Sequence, residues 1–156
     1  TYNPEIDKPA FERAWQERSK GVGAQINSFE PNYEGSSLID GPVGGVCSAL
    51  GDHSHEARPG HHLAPRKLSS GVNVFEALGA GFTLLAFGAH ETEIDAFRAA
   101  AQALQAPLEI IVSQITDETA AYGHKLVLVR PDQFVAWAGE RAGAHAQAIL
   151  AKAIGA

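Results

Sequence analysis

The chain is poor in several things, and each shortage closes off a class of protein. It has a single cysteine, Cys47, among 156 residues, so no internal disulfide can form. One lone thiol fits a reducing compartment, which points to a cytoplasmic protein. Positive charge is scarce: 12 Lys and Arg stand against 18 Asp and Glu, a formal charge of −6. That balance disfavours an electrostatic grip on nucleic acid or on an anionic membrane. No apolar run approaches the roughly 20 residues needed to cross a bilayer. No basic-then-apolar leader opens the chain, so nothing in it marks secretion. What remains is an ordinary globular composition, 45% apolar, long enough for one domain with a real core.

The apolar residues are organised most clearly over 80–137. Phe82 to Phe87 reads FTLLAF, a run of strand length and nearly all apolar, as in a central strand. A helical pattern over Glu91 to Gln105 buries Ile94, Phe97, Ala101 and Leu104 on one face, with Thr92 as the expected cap and Asp95 in a capping box. Pro107 releases the chain into a second strand, Leu108 to Ser113. Asp117 can open a single helical turn. Leu126 and Leu128 then alternate with Val127 and Val129 in a third strand. Arg130-Pro131-Asp132-Gln133 is turn material, and Phe134 to Trp137 returns as the antiparallel partner. Arg141 to Ile154 closes the chain as a helix. Strand, helix, strand, hairpin and helix make an α/β sandwich on a central mixed sheet of about four to five strands with flanking helices.

The first half is less regular. A helix over about 7–20 carries Phe11 and Trp15 on one side and ends at Gly21 and Gly23. A helix this short needs a surface to pack on, either the rest of this domain or something outside the chain. Residues 25–39 read as an extended, irregular connection. Residues 40–68 read as a long loop, with 40–60 at the surface; a loop of that length is functional or mobile. Asn73 can cap one helical turn holding Phe75 and Leu78.

Candidate chemistry is thin. Asp52, His53, His55, His61 and His62 crowd one loop with side chains suited to zinc, but at no compact ligand spacing, and solvated histidines are the simpler reading. Cys47 has no C-x-x-C partner, and a semi-buried or incidental thiol is the simpler reading. Gly88-Ala89-His90, between strand and helix, is the nearest thing to an anion cradle, though an ordinary strand–helix turn explains it. Glu91, Glu93 and Asp95 first suit a helix start. Arg130 and Asp132 read as a charge pair across a turn, and Trp137 as a core or interface aromatic. No catalytic, cofactor-binding or metal residue is assigned on these grounds.

Larger stretches resemble the C-terminal region of FAD-dependent aromatic-ring hydroxylases, the class A flavoprotein monooxygenases of the phenol and polyketide hydroxylase type. GFTLLAFGA (81–89) and LVLVRPDQFVAWAG (126–139) carry the likeness, and RPDQFVAW is its most specific piece. GAQINSFEPNYEGSSLI (23–39) is similar to the segment that leaves those enzymes' substrate domain, and PGHHLAP (59–65) with LSSGVNVFEALGAGFTLL (68–85) is similar to their entry into the last domain. His62 and Pro65 depart from the arginine and earlier proline of the family's PGxRxP element, and Ala138 replaces an arginine that many members carry.

The resemblance implies a thioredoxin-like fold over 25–156 that has lost its redox cysteines. It makes 1–24 the end of a substrate-domain helix, with Phe11 and Trp15 facing that domain. FAD and NAD(P)H belong to the parent or partner flavoprotein and to no site in this chain. The implied partners are the FAD-binding and substrate domains, with a homo-oligomer open and no nucleic acid or membrane. The implied role is structural or assembly-related. Two other readings stay open: a small redox or hydrolytic enzyme using His90, Cys47 or the histidine loop, and a binder of small aromatic ligands between helix 7–20 and the sheet.

Overall fold

A computed structural model describes residues 7–17, 30–51 and 54–156. The α-helices and strands of the described residues follow in chain order. They are helix α1 (7–17), a single turn α2 (Val74–Ala77), strand β1 (Phe82–Phe87), helix α3 (Glu91–Leu104), strand β2 (Leu108–Ser113), a second single turn α4 (Asp117–Ala120), strands β3 (Leu126–Val129) and β4 (Val135–Gly139), and helix α5 (Ala146–Ile154). The expected helix over 7–20 is seen over 7–17; residues 18–20 lie outside the described residues.

The sheet runs β2-β1-β3-β4. β1 and β2 are parallel, in register from Phe82 against Leu108 to Phe87 against Ser113. β3 is antiparallel to β1, and β4 to β3. The parallel pair requires a crossover, which α3 supplies. The β3–β4 pair needs only the Arg130–Gln133 turn, closed by the Gln133 amide donating to the Arg130 carbonyl at 2.9 Å. This β-α-β-α-β-β-α order is the thioredoxin-like sandwich. β1 is the central strand that its unbroken apolar run implied.

Two cores sit on the two faces. Leu84, Ala86, Leu126, Leu128 and Trp137 meet Ile94 and Phe97 of α3 and Ile149 and Leu150 of α5. On the opposite face, Leu85, Phe87, Val127, Val129 and Val135 meet Ala57, Leu63, Ala64, Leu68, Val74 and Tyr122. The β3 alternation read from the sequence is therefore kept, leucines to one side and valines to the other. Full burial of one such side chain is worth about 1.5–3 kcal/mol, so neither face can be left open.

That second face is covered from the end of the long loop over 40–68, whose earlier part, 41–50, lies at the surface as expected. Ala57, Leu63, Ala64 and Leu68 are buried. They form no helix or strand, but the sheet face needs a cover and no long helix lies there. The segment is stitched to the sheet instead. The Gly60 amide donates to the Val135 carbonyl at 2.8 Å, and the Val135 amide to the His61 carbonyl at 2.9 Å. The segment 30–36 then lies over this turn, with the Tyr33 amide donating to the Gly60 carbonyl at 2.7 Å. Gly60 has φ +91°, and a Cβ there would stand 2.7 Å from the Glu34 nitrogen, so the approach demands glycine.

Two local expectations are corrected. α3 begins at Glu91 with His90 as its N-cap, not at a Thr92 cap, and no side chain caps it. Asp95 pairs with Arg98 one turn on instead of completing a capping box. The closing helix begins at Ala146, after one 3₁₀ turn at Gly143–His145, not at Arg141. Glu93 accepts the amides of Ala142 (2.8 Å) and Gly143 (2.7 Å), so its carboxylate ties the start of α3 to the approach to α5.

Candidate functional site

The crossover turn between β1 and α3 is the first place to look, because thiol–disulfide chemistry near a βαβ unit uses a C-x-x-C motif. Here the turn reads Gly88-Ala89-His90-Glu91. The Gly88 amide is spent on the Ser113 carbonyl at 3.1 Å. Glu91 and Glu93 fill the first turn of α3. Hydrogen bonds from the Gly143 and Ala142 amides hold the Glu93 carboxyl below its ordinary pKa, so it stays ionised at neutral pH. An anion at this helix start would meet fixed negative charge. The diphosphate of FAD does not fit it, and the ordinary strand–helix turn is what the residues build.

The histidines are dispersed. His61 is buried, and its Nε2–H donates to Glu34 Oε1 at 2.9 Å. Arg58 Nε also approaches that oxygen, at 2.5 Å. Burial pushes the Glu34 carboxyl up, but the hydrogen bonds from His61 and Arg58 outweigh it and leave the pKa below the ordinary value. His61 Nδ1 is buried without a hydrogen-bond partner among the described residues.

His62 turns the other way. Its Nδ1–H donates to the Leu63 carbonyl at 3.0 Å, and its ring lies 5.5 Å from Phe75 and 5.3 Å from Phe134. His62 and His55 line one open cleft of about 480 Å³ with Pro31, Pro65 and Phe134. Asp52 and His53 lie outside the described residues. Among the described residues, no three His, Cys, Asp or Glu side chains gather as a metal cluster.

Cys47 is exposed, one residue before a bridge between Asn32 and Ser48. Arg130 and Asp132 form the charge pair expected of the turn, with Nε 3.1 Å from Oδ1. Trp137 is a core residue, its ring 5.6 Å from that of Phe97. Among the described residues, His61, Cys47 and His90 are not brought to one place: His90 caps α3, Cys47 is on the surface, and His61 is enclosed.

Tyr122 carried no role in the sequence reading. It is fully buried, with its ring 5.5 Å from Phe87 and its hydroxyl donating to the Ala64 carbonyl at 2.7 Å. Burial pushes its pKa well above that of an ordinary tyrosine, so it is a neutral donor and no base. Its signal was a lone aromatic in a polar turn, which no local periodicity can place.

A thioredoxin-like sandwich whose crossover turn is built for structure defines a class, and comparison with known proteins places the chain within it. Residues 56–156 match the family of the aromatic-ring hydroxylase C-terminal domain, and the chain belongs to that family. It is 37% identical over 105 residues to the FAD-dependent monooxygenase apdD of Emericella nidulans, covering 62% of this chain and 16% of that protein. The structure of K252c-soaked RebC superimposes with a TM-score of 0.71 at 28% identity, over 99% of this chain and 30% of RebC. Aklavinone-11 hydroxylase, solved with FAD and aklavinone, shares the fold with a TM-score of 0.64 at 23% identity, over 83% of this chain and 26% of that one. The chain thus spans less than a third of each relative. Among the described residues, no helix is long and apolar enough to cross a membrane.

Proposed function

We propose that this chain is a non-catalytic C-terminal domain, or a separate subunit equivalent to it, of an FAD-dependent aromatic-ring hydroxylase. Its role is to support and assemble the flavin-binding part. FAD, NAD(P)H and the aromatic substrate are handled by that part. Residues 1–24 are the end of the substrate domain, and the sandwich over 25–156 is the body that the rest packs on.

One observation carries this reading. The chain matches the C-terminal domain of the hydroxylases, and its crossover turn, where a thioredoxin-like enzyme would carry paired cysteines, is committed to backbone bonds by Gly88 and Glu93. The buried ionisable groups agree: Glu34, His61 and Tyr122 are bound to one another or to backbone and converge on no cleft.

The test is co-expression of this chain with the flavin-binding part of its parent hydroxylase. A yellow complex containing both is expected. A colourless chain that turns over an aromatic substrate alone would overturn the reading. Limited proteolysis of the isolated chain is expected to cut within 1–24, where the substrate domain is missing.

A further inference from the structure

Residues 41–51 read GPVGGVCSALG and contain no charged side chain, in a protein where 19% of residues are charged. The stretch is well held. The Ser48 and Asn32 backbones exchange two hydrogen bonds, at 2.8 and 3.1 Å. Pro42 to Gly45 is a turn closed by the Gly45 amide on the Pro42 carbonyl, and Gly44 supplies the positive φ of +85°. A Cβ on Gly45 would stand 2.9 Å from Glu34 Cβ, so the turn lies directly against the segment clasped by His61.

This supported turn presents aliphatic side chains to water. Val43 is fully exposed, Val46 is 74% exposed and Leu50 58% exposed. Loops that face only solvent are rich in polar residues, and an uncharged, apolar, ordered loop is the composition of an interface centre. The exposure is also lopsided along the chain. Of nine exposed large apolar side chains among the described residues, six (Phe11, Trp15, Tyr33, Val43, Val46 and Leu50) precede residue 51. The family match begins only at residue 56, and at least 70% of RebC lies outside its alignment with this chain.

We infer that the turn at residues 41–51 is a docking surface, with Val43, Val46 and Leu50 as its anchors, and that its occupant is an uncharged apolar patch on the flavin-binding part of the parent hydroxylase. This rests on the domain reading above and names the surface that reading needs. Burying the three aliphatics removes from water the apolar area that a solvent-facing loop would not carry.

Cys47 sits in the middle of this surface and is exposed, so it reports on it directly. Alkylation of Cys47 by iodoacetamide, followed by mass spectrometry of its peptide, is compared between the isolated chain and the yellow co-purified assembly. At least a ten-fold slower reaction in the assembly is expected. Val43→Asp alone, at a fully exposed tip, is expected to cut recovery of the yellow assembly by roughly ten-fold, and V43D/V46D/L50D by roughly a hundred-fold or more. Val112→Asp, equally exposed on β2, is expected to leave recovery unchanged. Thermal melts of each isolated variant confirm that the sandwich is intact.

A wild-type assembly that forms with Cys47 as reactive as in the free chain overturns the docking surface and leaves the domain reading standing. A wild-type chain that forms no assembly overturns both. A self-associated chain that V43D/V46D/L50D makes monomeric identifies a second copy as the occupant and overturns the proposal.

Discussion

The hydroxyl of Tyr122 donates to the main-chain carbonyl of Ala64 across 2.7 Å, and both residues are buried. This bond joins the turn after α4 to an irregular segment 58 residues earlier in the chain. A second bond runs alongside it, from the Ala57 amide to the Tyr122 carbonyl at 3.0 Å. Together they hold the cover on the valine face of the sheet.

Tyr122→Phe keeps the ring on Phe87 and strands the Ala64 carbonyl. A buried unsatisfied acceptor costs about 1–3 kcal/mol. For a chain of this size that lowers Tm by about 2–12 °C, read by differential scanning calorimetry. An unchanged Tm would mean that water reaches the carbonyl.

Phe97→Ala opens a cavity between α3, α5 and Trp137. Truncating a buried phenylalanine costs about 3–5 kcal/mol. Urea denaturation is expected to show a much lower midpoint with the slope retained. Loss of the indole's near-ultraviolet circular dichroism at native temperature would follow, since Trp137 loses its ring neighbour.

Acid should weaken the fold through Glu34 and Glu93. Both carboxyls titrate lower in the folded chain than the ordinary value of 4.5. A depressed folded pKa contributes stability that is complete above the unfolded value and is lost as pH falls through the folded one. Urea midpoints are therefore expected to hold from pH 7 to about 5, then to fall below about 4.5. Glu93→Gln is expected to flatten that decline and to lower stability at pH 7 by about 1 kcal/mol, because the group is half-exposed. Equal acid sensitivity in wild type and variant would remove Glu93 from the account.

Glu34 and His61 are expected to be coupled. Glu34→Ala leaves a buried imidazole with neither nitrogen bonded, at a cost of about 1–3 kcal/mol. His61→Leu with Glu34→Ala removes both polar groups and is expected to recover at least part of that loss. A double-mutant cycle on urea midpoints measures the coupling, and strict additivity would count against it.

The fold was legible where short-range pattern decides it. FTLLAF and LVLV are apolar enough to mark inner strands covered on both faces, LEIIV has strand length, and Ile94 and Phe97 mark the inner side of α3 by their spacing. RPDQ turned the chain as its proline and aspartate suggest. The rest depended on distant partners. Glu93 holds the approach to α5 from 49 and 50 residues away. Leu63 and Leu68 follow no period, so no local pattern marked them as core. His61 and His62 are neighbours in the chain and face opposite environments, one a carboxylate and the other two aromatic rings, which no spacing rule separates.

The clasp between Glu34 and His61 has a practical corollary for anyone shortening this protein. The match to the hydroxylase C-terminal family starts at residue 56, but the acid that satisfies His61 lies 27 positions from it, upstream of that limit. A fragment trimmed to the kinship boundary would strip Tyr33 from the ring of Phe134 as well, a contact with centroids 4.6 Å apart. The family match and the contacts around His61 and Phe134 thus have different borders, and a fragment that keeps those contacts begins no later than the bridge at Asn32.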